Sequence, residues 1–256
     1  MKIKILFIQI CFMMLGTLLH AQMKQVDYAD GNQKLHGQLI KPSKANTHKP
    51  GVLILPAWMG IDEHAKTVAK QLADLGYSAF IADIYGEGNY PKTPKDAGQQ
   101  SSHYKQNITE YHQRIKLALD QLVKSGANPD DIVVIGYCFG GLGAIEAART
   151  NMHVKGIVSF HGSYDRDASR KIDPIAPKIL ILHGADDPYS PAKVIADMQD
   201  EFRTAKADWQ MNYYANAVHA FTDPNTGNDN SKGVAYNALA DKRSWQAMLQ
   251  FFKEIL

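Results

Sequence analysis

The chain has 256 residues, of which 45% are hydrophobic, and its 28 basic and 26 acidic residues give a formal charge of +2. This length and apolar content suit one α/β domain with a substantial buried core. The near balance of charge excludes a polybasic protein that binds nucleic acid or an anionic membrane surface.

The first 21 residues have the pattern of a secretory signal peptide. Lys2 and Lys4 form a positive start, residues 5–19 are largely apolar, and Ala21 precedes a cleavage point. The alternative is an uncleaved membrane anchor, but the apolar run is short for a spanning helix, which needs about 20 apolar residues. We expect cleavage near Ala21, export to the periplasm or medium of a bacterium, and no stable membrane association of the mature domain, residues 22–256.

Cleavage would leave Cys138 as the single cysteine, because Cys11 lies in the leader. It would also remove two lysines and no acid, so the mature chain would carry no formal net charge. An intramolecular disulfide is then impossible. A lone thiol in an exported protein indicates reactivity; the alternative is a buried structural cysteine.

Strands and helices alternate along the mature chain. In chain order the pattern predicts a hairpin over 25–28 and 34–40, strand 51–55, helix 63–75, strand 78–82, a loop over 85–102, helix 107–124, strand 131–135, a helix over 142–149, strands 156–160 and 178–182, helix 191–205, strand 210–214 and helix 235–255. The alternation predicts a mostly parallel central sheet flanked by helices on both faces. Ligands of such sheets bind at the carboxyl ends of the strands. The pattern does not predict the oligomeric state.

The most informative motif is Gly136-Tyr137-Cys138-Phe139-Gly140-Gly141. It follows an apolar strand and opens into a helix, as the nucleophile elbow of α/β-hydrolases does, with cysteine in place of serine. Side chains at Gly136 or Gly140 would collide with neighbouring backbone. The motif therefore predicts an α/β-hydrolase fold in which Cys138 is the nucleophile.

A thiol nucleophile needs a base, and the base needs an orienting carboxylate, in the chain order nucleophile, acid, histidine. Asp186 and Asp187 both follow strand 178–182. Asp187 is favoured because it begins the turn into the next helix, and Asp186 is interpreted as a turn-former. His219 follows the last strand on a loop and is the candidate base.

Backbone amides must hold the oxyanion of the reaction. The amide of Phe139 directly follows the nucleophile, at a helix N-terminus whose dipole favours anions and lowers the pKa of the thiol. The second donor should come from the loop after strand 51–55, where Trp58 is the best placed residue.

Three further side chains, Tyr85, His161 and Tyr189, are predicted to bind substrate because they follow strands or turns near the triad. For His161 a structural, hydrogen-bonded role is an equal alternative, and for His183 that role is favoured. The histidines lack metal-ligand spacing and no phosphate-binding glycine loop is present, so neither a metal nor a cofactor is predicted.

From about Lys34 to its end, the chain resembles the dienelactone hydrolase family. The resemblance rests on the elbow and on the segments Ala82-Asp83-Ile84-Tyr85-Gly86, Ser159-Phe160-His161-Gly162, His183-Gly184-Ala185-Asp186-Asp187-Pro188, His219-Ala220-Phe221, Ala235-Tyr236-Asn237 and Arg243-Ser244-Trp245. It implies an esterase or lactonase with the triad Cys138, Asp187 and His219, acting on a small-molecule substrate through a thioester intermediate.

Three positions depart from that family's pattern. The glutamate that helps to draw the proton from the thiol corresponds to Ala57, and two arginines that bind a substrate carboxylate correspond to Glu87 and Asp223. Acids in place of cations disfavour an anionic lactone, so the resemblance predicts a neutral or even cationic ester or lactone. The alternative from another class is a non-catalytic ligand-binding or thiol redox-sensing member of the same fold.

Overall fold

The computed structural model describes residues 22–44 and 46–256, so the predicted leader lies outside the described residues. Within them the strands are β1 (Lys24–Asp30), β2 (Gln33–Ile40), β3 (Gly51–Leu55), β4 (Ser78–Ile81), β5 (Ile132–Tyr137), β6 (Gly156–Phe160), β7 (Lys178–Gly184) and β8 (Trp209–Tyr214). They form one sheet in the order β1-β2-β4-β3-β5-β6-β7-β8. β2 runs antiparallel to both neighbours, and the six strands from β3 to β8 are parallel.

Helices cover both faces of this sheet. They are α1 (Glu63–Asp74), α2 (Pro94–Gln106), α3 (Ile108–Lys124), α4 (Phe139–Arg149), α5 (Ala192–Thr204) and α6 (Ala238–Ile255). α1 and α6 share one apolar core, in which Leu72 and Phe252 are fully buried. α2 to α5 share the core of the other face, in which Tyr111 and Phe202 are fully buried. The predicted mostly parallel sheet between two helical layers is confirmed.

The central strands explain this arrangement. Every residue of β3, β5 and β6 is buried, and their apolar sequences suit strands covered on both faces. β1 lies at the edge and alternates between exposed and half-buried residues. Because the parallel strands end at one edge of the sheet, the loops that follow β3, β5, β6, β7 and β8 meet there.

One predicted element is wrong: residues 94–106 form a helix, whereas the sequence pattern indicated a loop over residues 85–102. Thr93 caps the helix, since its hydroxyl accepts from the Asp96 amide (3.2 Å) and the Asp96 carboxylate accepts from the Thr93 amide (3.0 Å). Pro94 at the first position adds to this start. α2 buries few side chains, so its apolar periodicity is weak. Among the described residues, no helix has the length and apolar content needed to cross a bilayer.

Candidate active site

The turn between β5 and α4 holds Cys138 in a strained backbone conformation. Its φ is 54° and its ψ is −113°, a positive-φ conformation that residues with side chains rarely adopt. A Cβ added to Gly136 would lie 1.9 Å from the Gly140 carbonyl oxygen, and one added to Gly140 would lie 2.0 Å from the Leu55 carbonyl oxygen. The Cys138 amide donates to the Phe160 carbonyl (3.0 Å). The close approach of β3, β5 and α4 thus presents the thiol at the strand ends.

A hydrogen-bonded line joins the thiol to the two other predicted triad residues. Cys138 Sγ lies 3.0 Å from His219 Nε2, and His219 Nδ1 lies 2.9 Å from Asp187 Oδ2. The other Asp187 oxygen accepts from the Tyr189 amide (2.9 Å), which fixes the carboxylate. Asp187 is 5% exposed. Asp186 is exposed and does not join this line.

The electrostatics of this line favour an ion pair. Burial raises the pKa of the Cys138 thiol, but the charge and hydrogen bond of His219 and the Phe139 amide lower it further, so the net pKa is lowered. Burial lowers the pKa of His219, but Cys138 and Asp187 raise it further, so the net pKa is raised. Both shifts stabilise the charged forms, a thiolate beside an imidazolium.

The loop after β3 lies against the first turn of α4. A Cβ on Gly140 would meet the Leu55 and Pro56 carbonyl oxygens, so this loop runs directly beside the elbow. Trp58 stands in the loop, and its carbonyl accepts from the Tyr85 hydroxyl (2.7 Å). Within residues 22–44 and 46–256, no protein oxygen accepts from the amide of Phe139 or Trp58. The Phe139 amide is directed at the Cys138 sulfur. An oxyanion site requires backbone amides that no protein oxygen occupies.

Aromatic rings support this loop and the elbow. Tyr85 is 2% exposed, and its ring stacks on Phe139 with centroids 6.0 Å apart. Tyr111 also stacks on Phe139, with centroids 4.6 Å apart. Tyr85 therefore supports the floor of the site rather than offering open surface. Tyr189 is 56% exposed, and its ring lies 5.1 Å from that of His219, at the mouth of the site.

The other two strand-end histidines are buried. His161 Nε2 bonds with Thr222 Oγ1 (2.9 Å), and its ring lies 5.3 Å from that of His219. His183 Nδ1 bonds with the Tyr164 hydroxyl (2.9 Å). Burial lowers the pKa of both histidines, so both are neutral. Thr222 was not identified from the sequence, because it lies 61 residues after His161 along the chain.

The acids at the departing positions have local partners. The Glu87 carboxylate lies 3.6 Å from Lys34 Nζ on β2. Asp223 begins a short 3₁₀ helix, and its carboxylate accepts from the Asn225 amide (2.9 Å). Ala57 leaves His219 as the charged side chain in contact with the thiol. The sequence identified these two acidic positions but could not predict which groups their carboxylates would contact.

Sequence reasoning also missed Lys105, at the end of α2. This exposed lysine adds to the lowering of the Cys138 pKa. It borders a cleft of about 290 Å³ together with Leu142 and Ser163, which follow the elbow and β6. Lys105 was overlooked because the sequence pattern assigned no helix before residue 107. In the described part of the chain, no three histidine, cysteine or acidic side chains converge as metal ligands would.

Residues 35–256 match the model of the dienelactone hydrolase family. The chain belongs to that family. It is therefore a hydrolase of carboxylic esters or lactones, and the α/β-hydrolase fold and the resemblance inferred from the motifs are confirmed.

Two solved structures and one sequence illustrate the likeness. The structure m3DLH is 32% identical, with a TM-score of 0.87 over 93% of this chain and 99% of that one. The dienelactone hydrolase-like promiscuous phosphotriesterase P91, from metagenomic libraries, is 35% identical, with a TM-score of 0.86 over 92% and 99%. A Yersinia pestis protein named as a carboxymethylenebutenolidase is 25% identical over 236 residues, 86% of this chain and 84% of that one.

Proposed function

We propose that this family member hydrolyses small carboxylic esters or lactones through a thioester on Cys138, with His219 as acid and base and Asp187 as its orienting partner. The observation that carries the proposal is the line from Sγ to Nε2 (3.0 Å) and from Nδ1 to Oδ2 (2.9 Å). A thiol, an imidazole and a carboxylate in this order can activate a nucleophile and return its proton.

Acylation begins when the Cys138 thiolate attacks the carbonyl carbon of the ester. The C–S bond forms while the carbonyl oxygen becomes an oxyanion, which the amides of Phe139 and Trp58 stabilise. His219 then gives its Nε2 proton to the leaving alkoxide as the C–O bond breaks. The products of this step are the free alcohol and a Cys138 thioester beside a neutral imidazole.

Deacylation reverses these roles. The neutral Nε2 of His219 takes a proton from water, and the resulting hydroxide attacks the thioester carbonyl. The C–S bond breaks, the acid leaves, and the thiolate and imidazolium are restored. Asp187 accepts the Nδ1–H throughout, which keeps Nε2 as the reacting nitrogen.

The thiol needs no second carboxylate in this scheme. Its lowered pKa has its cause in His219, in the Phe139 amide and in the N-terminus of α4. Ala57 stands where the family pattern has a glutamate, and the direct contact between Cys138 and His219 supports activation without it.

We further propose that the preferred substrates are uncharged. Glu87 and Asp223 stand where the resemblance places carboxylate-binding arginines, and both have local partners. Lys105 is exposed to solvent, so its attraction for an anionic substrate is screened. An anionic substrate would lose its hydration here without a cation to compensate, whereas a neutral ester or lactone carries no such cost.

Uncharged phosphotriesters are a second candidate substrate class. The supporting observation is the 35% identity with the promiscuous phosphotriesterase P91 over 92% of this chain. A thiolate can attack phosphorus as well as carbon, and the same two amides can donate to the phosphoryl oxygen on which negative charge develops.

The deciding experiment is hydrolysis of short-chain p-nitrophenyl esters, dienelactone and a dialkyl p-nitrophenyl phosphate by the wild type and by Cys138→Ala. The proposal requires turnover of the neutral esters that is lost in Cys138→Ala, with little activity on dienelactone. Equal rates in both proteins would remove Cys138 from the mechanism and favour the ligand-binding or redox-sensing alternative.

We also propose that the mature protein acts outside the cytoplasm. The pattern that supports export is Lys2 and Lys4 before the apolar residues 5–19. Expression of the full chain in a bacterium, followed by N-terminal sequencing of the periplasmic fraction, should give a chain that begins near Gln22. Retention of Met1 in the cytoplasm would contradict export.

A further inference from the structure

Two aromatic rings pack edge-on against the imidazole of His219. His161 approaches from the protein interior, with ring centroids 5.3 Å apart and planes at 66°. Tyr189 approaches from the solvent side, with centroids 5.1 Å apart and planes at 71°. Tyr189 is 56% exposed and His161 only 2%, so the buried ring is the better fixed of the two.

The polar partners of His219 change during the proposed reaction. In the free protein Nε2 contacts the Cys138 thiol at one end and Nδ1 contacts Asp187 at the other, which fixes both ends of the ring. Once the sulfur is acylated it carries no charge and accepts a hydrogen bond only weakly. The ring is then held by Asp187 and by the two flanking aromatic residues.

We propose that His161 is a positioning residue for deacylation, which holds the His219 ring in place while the sulfur is acylated. This inference rests on the proposed thiol mechanism. In acylation the ion pair with Cys138 already orients His219, so the packing of His161 adds little. In deacylation Nε2 must meet a water molecule without the Cys138 thiolate to orient it, and Asp187 holds only the Nδ1 end of the ring, so the packing matters more.

The surroundings of His161 fix its ring firmly. Its Nε2 bonds with Thr222 Oγ1, and Phe221 packs against it with centroids 5.2 Å apart. Its backbone φ is 38°, a left-handed conformation that is unfavourable for most side chains. Within the described chain its Nδ1 is buried without a partner, a costly arrangement for a side chain with a filling role alone. The bond with Thr222 sets the rotation of the ring that His219 contacts.

Two variants test the role. His161→Asn removes the ring, and asparagine tolerates the positive φ. Thr222→Val keeps the shape of Thr222 but removes the oxygen that anchors His161. Rapid mixing with p-nitrophenyl acetate gives the acylation rate from the burst of p-nitrophenol. Mass spectrometry of quenched samples gives the deacylation rate from the decay of the Cys138 thioester.

We expect His161→Asn to slow deacylation by ~10-fold or more while acylation changes by less than ~3-fold. The steady-state kcat and KM should then fall together, and the acyl-enzyme should accumulate. Thr222→Val should also slow deacylation more than acylation, but by a smaller factor. If His161→Asn does not fold, the ratio of the acylation and deacylation rates in Thr222→Val decides the test.

His183→Asn is the matched control. His183 is also a buried strand-end histidine bonded to one hydroxyl, but its ring contacts Tyr164 and Tyr213 instead of His219. Its loss should leave the ratio of the two rates unchanged. If both variants slow the two steps equally and the Cys138 thioester still forms, this inference is overturned but the proposed function is not. Absence of any Cys138 thioester in the wild type would instead overturn the proposed function.

Discussion

Arg170 binds both carboxylate oxygens of Glu146, with Nη1 at 2.9 Å from Oε1 and Nη2 at 2.8 Å from Oε2. Glu146 is 1% exposed and lies in α4, two turns after Cys138. Arg149 on the same helix and His112 on α3 also bond with it, at 2.7 and 2.6 Å. The carboxylate therefore ties the helix that carries the elbow to α3 and to the segment after β6.

We predict that Glu146→Gln lowers the free energy of unfolding by about 1–3 kcal/mol at pH 7, because it removes the counter-charge of Arg170 and one of the two carboxylates that bind the buried Arg149. Burial raises the pKa of Glu146, but His112, Arg170 and Arg149 lower it much further, so it lies well below its usual value. A lowered folded pKa gives stability that is present above the unfolded pKa, about 4.3, and is lost as pH falls through the folded value.

Urea unfolding of both proteins at pH 7 and pH 3 measures this effect. The free energies of unfolding of wild type and Glu146→Gln should differ by at least about 1 kcal/mol less at pH 3 than at pH 7. Asp130→Asn is the control, because it removes an exposed pair with His153 (2.9 Å) and should cost little. A difference that is independent of pH would show that shape, and not the charge of Glu146, sets the stability.

Gly140→Ala should abolish activity and lower stability. The new Cβ would lie 2.0 Å from the Leu55 carbonyl oxygen, so the loop after β3 or the elbow must move. Gly98→Ala is the matched helical control, since its Cβ would meet only the Trp58 ring, at 3.9 Å. That variant should gain roughly 0.5–1 kcal/mol and keep its activity. Thermal unfolding and ester hydrolysis compare the two; a fully active Gly140→Ala would contradict the packing of the elbow.

In the proposed mechanism the oxyanion role of Trp58 belongs to its amide rather than to its indole. Trp58→Ala keeps the N–H and should lower kcat less than ~10-fold, while Trp58→Pro removes it and should lower kcat ~100-fold or more. Circular dichroism and thermal unfolding check that both variants fold. Equal kcat values for the two folded variants would show that this amide does not hold the oxyanion.

The thiolate of Cys138 should form at lower pH than that of an ordinary cysteine, whose pKa is about 8.5. Because the lowered pKa depends on His219, His219→Asn should shift the midpoint of iodoacetamide labelling upward. Asp187→Asn should shift it in the same direction by less. Asp186→Asn is the control, as Asp186 is exposed and outside the hydrogen-bonded line. Identical labelling profiles in all four proteins would rule out the ion pair.

Local sequence patterns predicted the elbow and the sheet, because their determinants are close in sequence. Gly136 and Gly140 are four residues apart, and each apolar strand is a short continuous run. α2 was missed because few of its side chains are buried, although Thr93, Pro94 and Asp96 form a recognisable helix start. Capping residues were thus the better signal for this polar helix.

Contacts between distant segments could not be predicted. Glu146 stands in a largely apolar helix, and its partners His112 and Arg170 lie 34 and 24 residues away along the chain. The position of Asp187 suggested that it, rather than Asp186, would face His219, and the turn after β7 places it there. The direction of the Glu87 carboxylate depends on Lys34 of β2, a pairing that no local pattern contains.

The most direct test of the proposed mechanism is to quench the wild type during turnover of p-nitrophenyl acetate and locate the acyl group by peptide mass spectrometry. We expect one acetyl group on the peptide that contains Cys138, absent from Cys138→Ala, and removed by hydrolysis on further incubation. If Cys138 stays unmodified during turnover by the wild type, and Cys138→Ala still turns the ester over, the thioester mechanism is contradicted.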